Sequence, residues 1–418
     1  MDSRLLRADA AIVGVGAAGL SLLAHLGRAG WRGTVVVVDD GATPLAERNW
    51  AWWSTGEGLL DAHATVVHGR ARVAGQDWTR DLDLAPYAYR TITGEDLRAF
   101  ATAPGESVHA VEWVAGTATG MRRHREGVEV EARAPDGSRV LIRSPQVFDS
   151  VGLAVPGHAV AGPHLDFLGW GVWSDRDIFT RDLVTFMDFR TAQDRGVAFM
   201  HVLPTSARVA LVERTVFASG GAEGEIDHEP HLLRYLDEVL GAPDAEWSVV
   251  QGGTIPLDVP ARSVPGVAGL TLLGSPAGAV KASTGYAFAR IQAHSARIAA
   301  AMVQDAARAR DDARGADDAT PAGGGEAPAR GDGVDVRGPA SSRWYARLDR
   351  ALLTAVREDP DGARRVLEEL LLRATPEQLL RFLDEDLPLR QQLSLGARLP
   401  YSVFPRAYGR TFAGRTRL

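Results

Sequence analysis

Apolar and polar positions change their period several times along this chain, and each change predicts an element. Ala10 to Val15 is a short apolar run with β-branched residues, Ala17 to Gly27 is helix-compatible and rich in Ala and Leu, and Val35 to Val38 reads as a second buried strand. Strand, turn, helix and strand within about thirty residues make a βαβ unit, which implies a parallel sheet covered on both faces. Gly94 to Ala101 has the pattern of a short helix. From Val108 to Val147 the pattern turns to alternation, as in Val128-Glu129-Val130, and is broken by Asp136-Gly137; that predicts an antiparallel meander. Gln146 to Asp149 leads the chain back to the parallel sheet. Leu183 to Phe189, Val197 to Leu203 and Val209 to Thr215 are three more strand-like stretches separated by polar or Gly-containing turns, and they predict a second sheet.

Gln304 to Ser342 is Ala-, Gly-, Asp- and Arg-rich with almost no large apolar residue, so it cannot bury enough surface to offset the entropy of ordering, and it reads as a disordered linker. Beyond it Leu348, Leu352, Leu353 and Val356 recur at helical spacing, as do Val366, Leu367, Leu370 and Leu371. Thr375-Pro376-Glu377-Gln378 supplies an N-cap, a first-turn Pro and a capping-box partner before a further apolar stripe. The C-terminal region is predicted to be a helical bundle.

Composition narrows the function. At 45% hydrophobic and 24% charged residues the 418-residue chain has the balance of a folded globular protein, long enough for two or three structural units. A net formal charge of -7 gives no general attraction to phosphate backbones, so nucleic acid is not an expected partner. The absence of cysteine removes disulfides, thiolate catalysis and iron–sulfur clusters; it fits a cytoplasmic location and leaves redox chemistry to an organic cofactor. Ala10–Gly27 and Ser263–Val280 lack Asp, Glu, Lys and Arg, yet the first carries glycines at nucleotide-turn spacing and the second contains Pro265 and Pro276, so neither is expected to span a membrane. No metal site is expected.

The first turn carries the most specific local signal. Gly14-Val15-Gly16-Ala17-Ala18-Gly19 matches G-x-G-x-x-G directly after a strand and at the mouth of a helix. Gly14 would make the tight turn, Gly16 would let the backbone approach a pyrophosphate, and Gly19 would pack the helix close on the strand. Asp39, at the end of the next strand, is placed to accept hydrogen bonds from a ribose.

Motifs spread along nearly the whole chain resemble the lycopene cyclase family. Arg48-Asn49-Trp50-Ala51-Trp52-Trp53 resembles its R-T-W-x-x-W segment, Phe167 to Trp173 its Q-G-W-x-x-W stretch, and Leu183 to Arg190 its T-L-M-D-F-R segment. Val202 to Ser206 and Ala210 to Thr215 are similar to its V-L-P-x-S and L-V-E-D-T pair. Gly252 to Pro256 is similar to G-G-x-I-P, and Gly274 to Arg290 to the closing flavin motif with its T-G-Y-A-F core. Two departures stand out: Arg214 occupies a position usually acidic in relatives, and the 304–342 linker is long.

The resemblance, together with the inserted meander, implies an α/β fold: a Rossmann-like FAD-binding domain of the flavoprotein monooxygenase and glutathione reductase type, with an inserted antiparallel β substrate domain and a C-terminal helical region. The expected division is 1–60, 86–165 and 250–303 for FAD, 61–85 and 166–249 for substrate, 304–342 as linker and 343–418 as helices. The implied activity is redox-neutral cyclisation of the acyclic ends of lycopene to β-ionone rings, with reduced FAD maintained by NADPH or NADH. Glu213 and Asp188 are the expected catalytic residues. The expected cofactor residues are Gly14, Gly16, Ala18, Gly19, Asp39, Arg48, Gly274, Gly278, Thr284, Gly285 and Tyr286, and Trp50, Trp170 and Trp173 are expected to line the substrate site.

Lycopene offers only carbon and hydrogen, so the reaction needs an acid. Glu213, read as ending a strand of apolar residues, would have the raised pKa of a general acid. The bland alternatives are a salt bridge of Glu213 with Arg214 or Arg208, an Asp188–Arg190 ion pair with a structural role, and tryptophans that are simply core. A flavin monooxygenase, a cyclase of another prenylated compound, and a non-catalytic carotenoid-binding protein remain as alternatives. A peripheral contact of the C-terminal helices with a membrane surface is a further open reading.

Overall fold

Four-residue runs with no exposed member leave no face for water, and Ala10–Val13 and the Val35–Val38 part of Thr34–Asp39 accordingly lie side by side in the middle of a sheet. A computed structural model describes residues 3–397 except 104, 106, 107, 109, 155–162, 219–225, 258–266, 318–337 and 340. The sheet holding those two strands has five parallel members, ordered Leu270–Leu272, Gln146–Asp149, Ala10–Val13, Thr34–Asp39 and Ala110–Ala115. One face is covered by the helices Ala17–Arg28, Gly94–Thr102 and Phe288–Asp317. The other packs on an antiparallel meander, Thr117–His124, Gly127–Arg133 and Arg139–Ser144, shorter than the expected Val108 to Val147 because Ala110–Ala115 joins the parallel sheet; Ser3–Arg7 adds a parallel edge to it.

The second sheet has seven strands, in the order Glu246–Pro256, His164–Trp173, Val209–Ala218, Val197–Pro204, Leu183–Asp188, Arg70–Ala74 and Thr79–Asp83. Because side chains alternate along a strand, each strand serves two faces. Leu211, Glu213, Thr215 and Phe217 share one face of Val209–Ala218, and Val212 and Arg214 the other. The second of these faces is closed by Leu232 and Leu236 of the helical segment 229–239, which pack with Trp170, Val172, Met200 and Val202. The first is closed by the C-terminal helices Tyr345–Glu358, Pro360–Arg373, Pro376–Leu383 and Leu389–Gly396. The Thr375–Gln378 capping box forms as the sequence indicates.

Several expectations shift. The strand His164–Trp173 begins before 166, and Glu246–Pro256 continues past 250; both are bonded along their whole length in the second sheet, so boundaries at 165 and 250 cut through strands. Residues 304–317, expected in the disordered linker, are the last turns of Phe288–Asp317, because Ala, Arg and Gln favour helix and an Arg308–Asp305 pair adds local support even without apolar burial. Residues 318–337 and 398–418 lie outside the described residues. Glu213 is not at a strand end: Val209–Ala218 runs five residues beyond it.

Trp170 shows how strand parity decides a role. It is fully buried on the face away from the C-terminal helices, its ring stacked on Trp247 with centroids 3.6 Å apart. Trp170→Ala is therefore expected to lower the unfolding free energy by about 3–5 kcal/mol in denaturant titration, a loss that a solvent-facing tryptophan would not produce.

Candidate active site

The first turn has the geometry its glycines imply. Gly14 has φ +96°, and a Cβ there would stand 2.3 Å from Ser150 Oγ; a Cβ on Gly19 would stand 2.0 Å from the Gly14 carbonyl oxygen. Neither position admits a side chain. Gly16, at the start of Ala17–Arg28, faces open space, with Arg48 Nη1 3.5 Å from where its Cβ would be. Asp39 holds the turn from behind, its Oδ2 accepting from Val15 N at 2.7 Å. The closing segment faces this turn: Gly274, at φ +60°, comes within 3.0 Å of Ala18 Cβ on the same construction, Gly278 ends a short turn in the left-handed region, and Thr284, Gly285 and Tyr286 lead into the helix that starts at Phe288. Exposed N–H groups at a helix start, a backbone stripped of side chains and a cationic Arg48 suit a pyrophosphate, so these residues fit a dinucleotide.

From that mouth a cavity of about 590 Å³ runs between the second sheet and the C-terminal helices. Trp50, Tyr89, Tyr286, Phe186 and Phe199 line its middle, and Leu352, Leu367, Leu370, Leu371, Leu379 and Leu383 its far side. Glu213 lies on the sheet wall in a cross-strand row: His201 opposite it on one side, Gly169 on the other, and Gln251 beyond Gly169. A Cβ on Gly169 would stand 2.9 Å from Gln251 Cγ and 3.4 Å from Glu213 Oε2. The glycine therefore leaves the two side chains room to meet. Gln251 Nε2 donates to Glu213 Oε2 at 2.6 Å, Thr215 Oγ1 donates to Oε1 at 2.9 Å, and Asn49 Nδ2 donates to Gln251 Oε1 at 3.4 Å. The part of Glu213 not covered by protein faces the cavity. Desolvation raises its carboxyl above the ordinary glutamate value, against the smaller opposing effect of the two donors.

Neither neighbouring arginine pairs with Glu213. Arg214 points to the opposite face, fully buried, and pairs with Asp194 at 3.0 Å, while Arg208 pairs with Asp177 at 2.7 Å. Strand alternation separates neighbours in sequence.

The structure brings together Glu213, Trp50, Arg48, Gly16, Ala18, Gly274, Thr284, Gly285 and Tyr286 around one cavity. It does not bring in Asp188, Trp170 or Trp173. Asp188 is buried in an ion pair with Arg190, Nε to Oδ1 2.9 Å, and accepts from the Tyr235 hydroxyl at 2.8 Å. Trp170 lies on the far face, and Trp173 is exposed at its strand's end. Sequence reasoning missed His201, Gln251, Thr215, Tyr89 and the leucines of the cavity's far side. His201 carried a signal, being the one titratable residue in Val197–Pro204. Among the described residues no group of His, Asp and Glu is placed to hold a metal ion, and no helix is long and apolar enough to cross a membrane.

Because the folded state holds the Glu213 proton more tightly than the unfolded chain, its contribution to stability is complete below the ordinary value of 4.5 and is lost as pH rises through the raised value. Glu213→Gln is expected to flatten the fall in unfolding free energy measured between about pH 4 and pH 8. An unchanged slope would show the carboxyl to be ordinary.

The chain shares its fold with flavoproteins. It is similar to a geranylgeranyl bacteriochlorophyll reductase-like protein from Thermoplasma acidophilum, with 15% identity and a TM-score of 0.59 over 96% of this chain and 98% of that one. A flavoprotein/dehydrogenase from Cytophaga hutchinsonii aligns at 13% identity and TM-score 0.54, covering 93% and 98%. The myxobacterial chondrochloren halogenase aligns at 13% and 0.55, covering 97% of each chain. No curated protein matches by sequence. The family described as lycopene cyclase protein matches residues 9–408, nearly the whole length, and the chain belongs to that family.

Proposed function

We propose that this protein is an FAD-dependent lycopene cyclase that closes the acyclic ends of lycopene to β-ionone rings without net oxidation. The observation that carries the reading is Glu213: a desolvated carboxyl with no Lys or Arg partner among the described residues, held by two neutral donors on the wall of an apolar cavity that opens from a dinucleotide-type turn. The family assignment supports the substrate class. The fold supports FAD as the cofactor, held by Gly14, Gly16, Ala18, Gly19, Asp39 and Arg48 on one side and by Gly274, Gly278, Thr284, Gly285 and Tyr286 on the other.

Each residue then has a task. Glu213 delivers its proton to a terminal alkene carbon, and Gln251 and Thr215 aim the carboxyl and accept its change of charge. Phe186, Phe199, Leu211 and the C-terminal leucines exclude water, which would otherwise trap the cation as an alcohol. Trp50, stacked on Phe288 with centroids 6.2 Å apart, offers a π face worth up to about 2 kcal/mol to a desolvated cation. Bound FAD, in its reduced form, supplies an electron-rich ring system that offsets the positive charge. NADPH or NADH as its reductant, a cytoplasmic location and a peripheral membrane contact belong to the proposal through the family resemblance alone. Asp188 enters it as a positioning residue for the sheet.

Expression in a lycopene-producing host tests the reading. Wild type is expected to yield cyclised product, Glu213→Gln to keep its flavin absorbance and lose cyclisation by about 10²-fold or more. Gly16→Val, whose side chain would fill the pyrophosphate approach, is expected to lose both flavin and product. Undiminished ring formation by Glu213→Gln, or oxygenated products with stoichiometric consumption of reductant, would overturn the proposal.

A further inference from the structure

Cyclisation by protonation has a second half: the ring cation must lose a proton from a carbon other than the one that gained it. Past the mouth, where Glu47 and Arg48 sit, the titratable groups lining the cavity among the described residues are Glu213, Tyr286, Tyr89 and His201. The last three are connected. Tyr286 and Tyr89 hydroxyls are 3.1 Å apart, the Tyr89 hydroxyl is 3.4 Å from His201 Nε2, and His201 Nδ1 is 3.1 Å from the Phe186 carbonyl oxygen. A carbonyl only accepts, so Nδ1 carries the imidazole hydrogen and Nε2 presents a lone pair. That fixes the direction of the whole chain: Tyr89 donates to His201, and Tyr286 donates to Tyr89. The oxygen lone pairs of Tyr286 are left for the cavity.

We propose that Tyr286 is the proton acceptor of the reaction and that Tyr89 and His201 relay the proton away from it. The inference rests on the cyclase reading of the site. In the step, a C–H bond next to the cationic carbon breaks and its electron pair becomes the ring double bond. The proton bonds to Tyr286 Oη as the Tyr286 hydrogen moves to Tyr89 and the Tyr89 hydrogen to His201 Nε2. No electron is gained or lost. A carbocation is acidic enough at the adjacent C–H for a neutral phenol oxygen to serve. The products are an imidazolium and the carboxylate that Glu213 became when it gave up its proton, and these two stand opposite each other on neighbouring strands. Return of one proton to the Glu213 carboxylate restores the resting state.

At rest nothing in the relay is charged. Burial brings His201 down to about 4, pushes Tyr286 up to about 12 and raises Tyr89 well above the ordinary tyrosine value, and both tyrosines lie within electrostatic reach of Glu213. Once Glu213 is ionised, its negative charge favours the imidazolium. Tyr286 is held for this role by an edge-on contact with Trp53, ring centroids 4.8 Å apart.

The test uses purified, flavin-loaded, chemically reduced full-length protein with lycopene, followed through single turnovers in H2O/D2O mixtures. Wild type is expected to show a solvent isotope dependence curved by several protons in flight and a single dominant ring isomer. Tyr286→Phe and Tyr89→Phe are each expected to slow the turnover by about 10²-fold, straighten that dependence and change the ratio of ring isomers, while Glu213→Gln stops ring formation. Should Tyr286→Phe fail to hold flavin, Tyr89→Phe decides on the same readouts. Wild-type rates and isomer ratios in the tyrosine variants overturn the relay, as does a slower turnover with curvature and isomer ratio unchanged. If wild type forms no ring at all, the cyclase reading falls; if wild type cyclises and Glu213→Gln does not while the tyrosine variants behave as wild type, the relay alone falls.

Discussion

A carboxyl in the middle of a strand, facing a large apolar cavity, holds its proton more tightly than it does in water unless a cation stands beside it, and Glu213 has no Lys or Arg partner among the described residues. Its contacts are the amide of Gln251 and the hydroxyl of Thr215. Much else in the second sheet follows from keeping this group desolvated and within reach. Gly169 removes the one side chain that would fill the space between Glu213 and Gln251. Strand alternation sends Arg214 through to the opposite face, where Asp194 pairs with it. The basic residue next in sequence is thereby screened from the acid by the sheet itself, and the departure from the family's usual pattern at that position leaves the cavity's charge unchanged.

The cavity also depends on the C-terminal helices staying where they are. Their leucines form its far side, yet the closing nucleotide segment, which forms its mouth, lies on a different part of the chain. Buried charges join the two. Lys281 of the closing segment pairs with Asp349 at 3.1 Å and with Glu385 at 3.0 Å, and Arg290, in the helix that follows, reaches Glu385 at 3.1 Å and also bonds the Pro339 carbonyl. Glu385 sits at φ +65°, a conformation a non-glycine residue adopts only when its surroundings demand it. Such a cluster is weak as a net source of stability, because desolvation offsets most of the attraction. It is strong as a register device, since any shift of the helices against the closing segment strands a buried charge. From the other direction Arg80 Nη1 caps the Pro360–Arg373 helix, donating at 2.8 Å to the carbonyls of Leu371, Leu372 and Ala374.

What the sequence disclosed tracks the range over which its signals act. The nucleotide turn was legible because three glycines and an acid within thirty residues meet a local steric demand, and the Thr375 capping box because all its parts lie within one helical turn. Glu213 lies in a family-like motif, but its strand continues through five further residues, to Ala218. Trp170 and Asp188 fall outside the cavity for a different reason. Motif membership does not say which face of a strand a residue occupies, and Trp170 and Asp188 belong to the far one. His201, Gln251 and Gly169 form one row with Glu213 only because four strands, two of them far away in sequence, take that register. No local pattern encodes such a row. The helical start of the expected linker has no apolar stripe to announce it, because Ala-rich propensity extends the preceding helix.

The fold is shared with reductases and halogenases at identities too low to carry their chemistry across, so the reaction must be argued from the cavity wall. The redox-neutral protonation proposed for this site would set that wall a particular problem: acid and base must coexist in one space without neutralising each other. In water a glutamate and a histidine at adjacent cross-strand positions would form a carboxylate–imidazolium pair at mildly acidic pH, leaving neither an acid nor a base. Here the same desolvation acts on both with opposite sign, raising Glu213 and lowering His201 to about 4. The carboxyl is thereby shifted toward keeping its proton, and the imidazole toward keeping its Nε2 lone pair. On the proposed mechanism this opposition keeps acid and base apart at rest, and their ion pair forms only while a cation in the cavity has taken one proton and is about to return another.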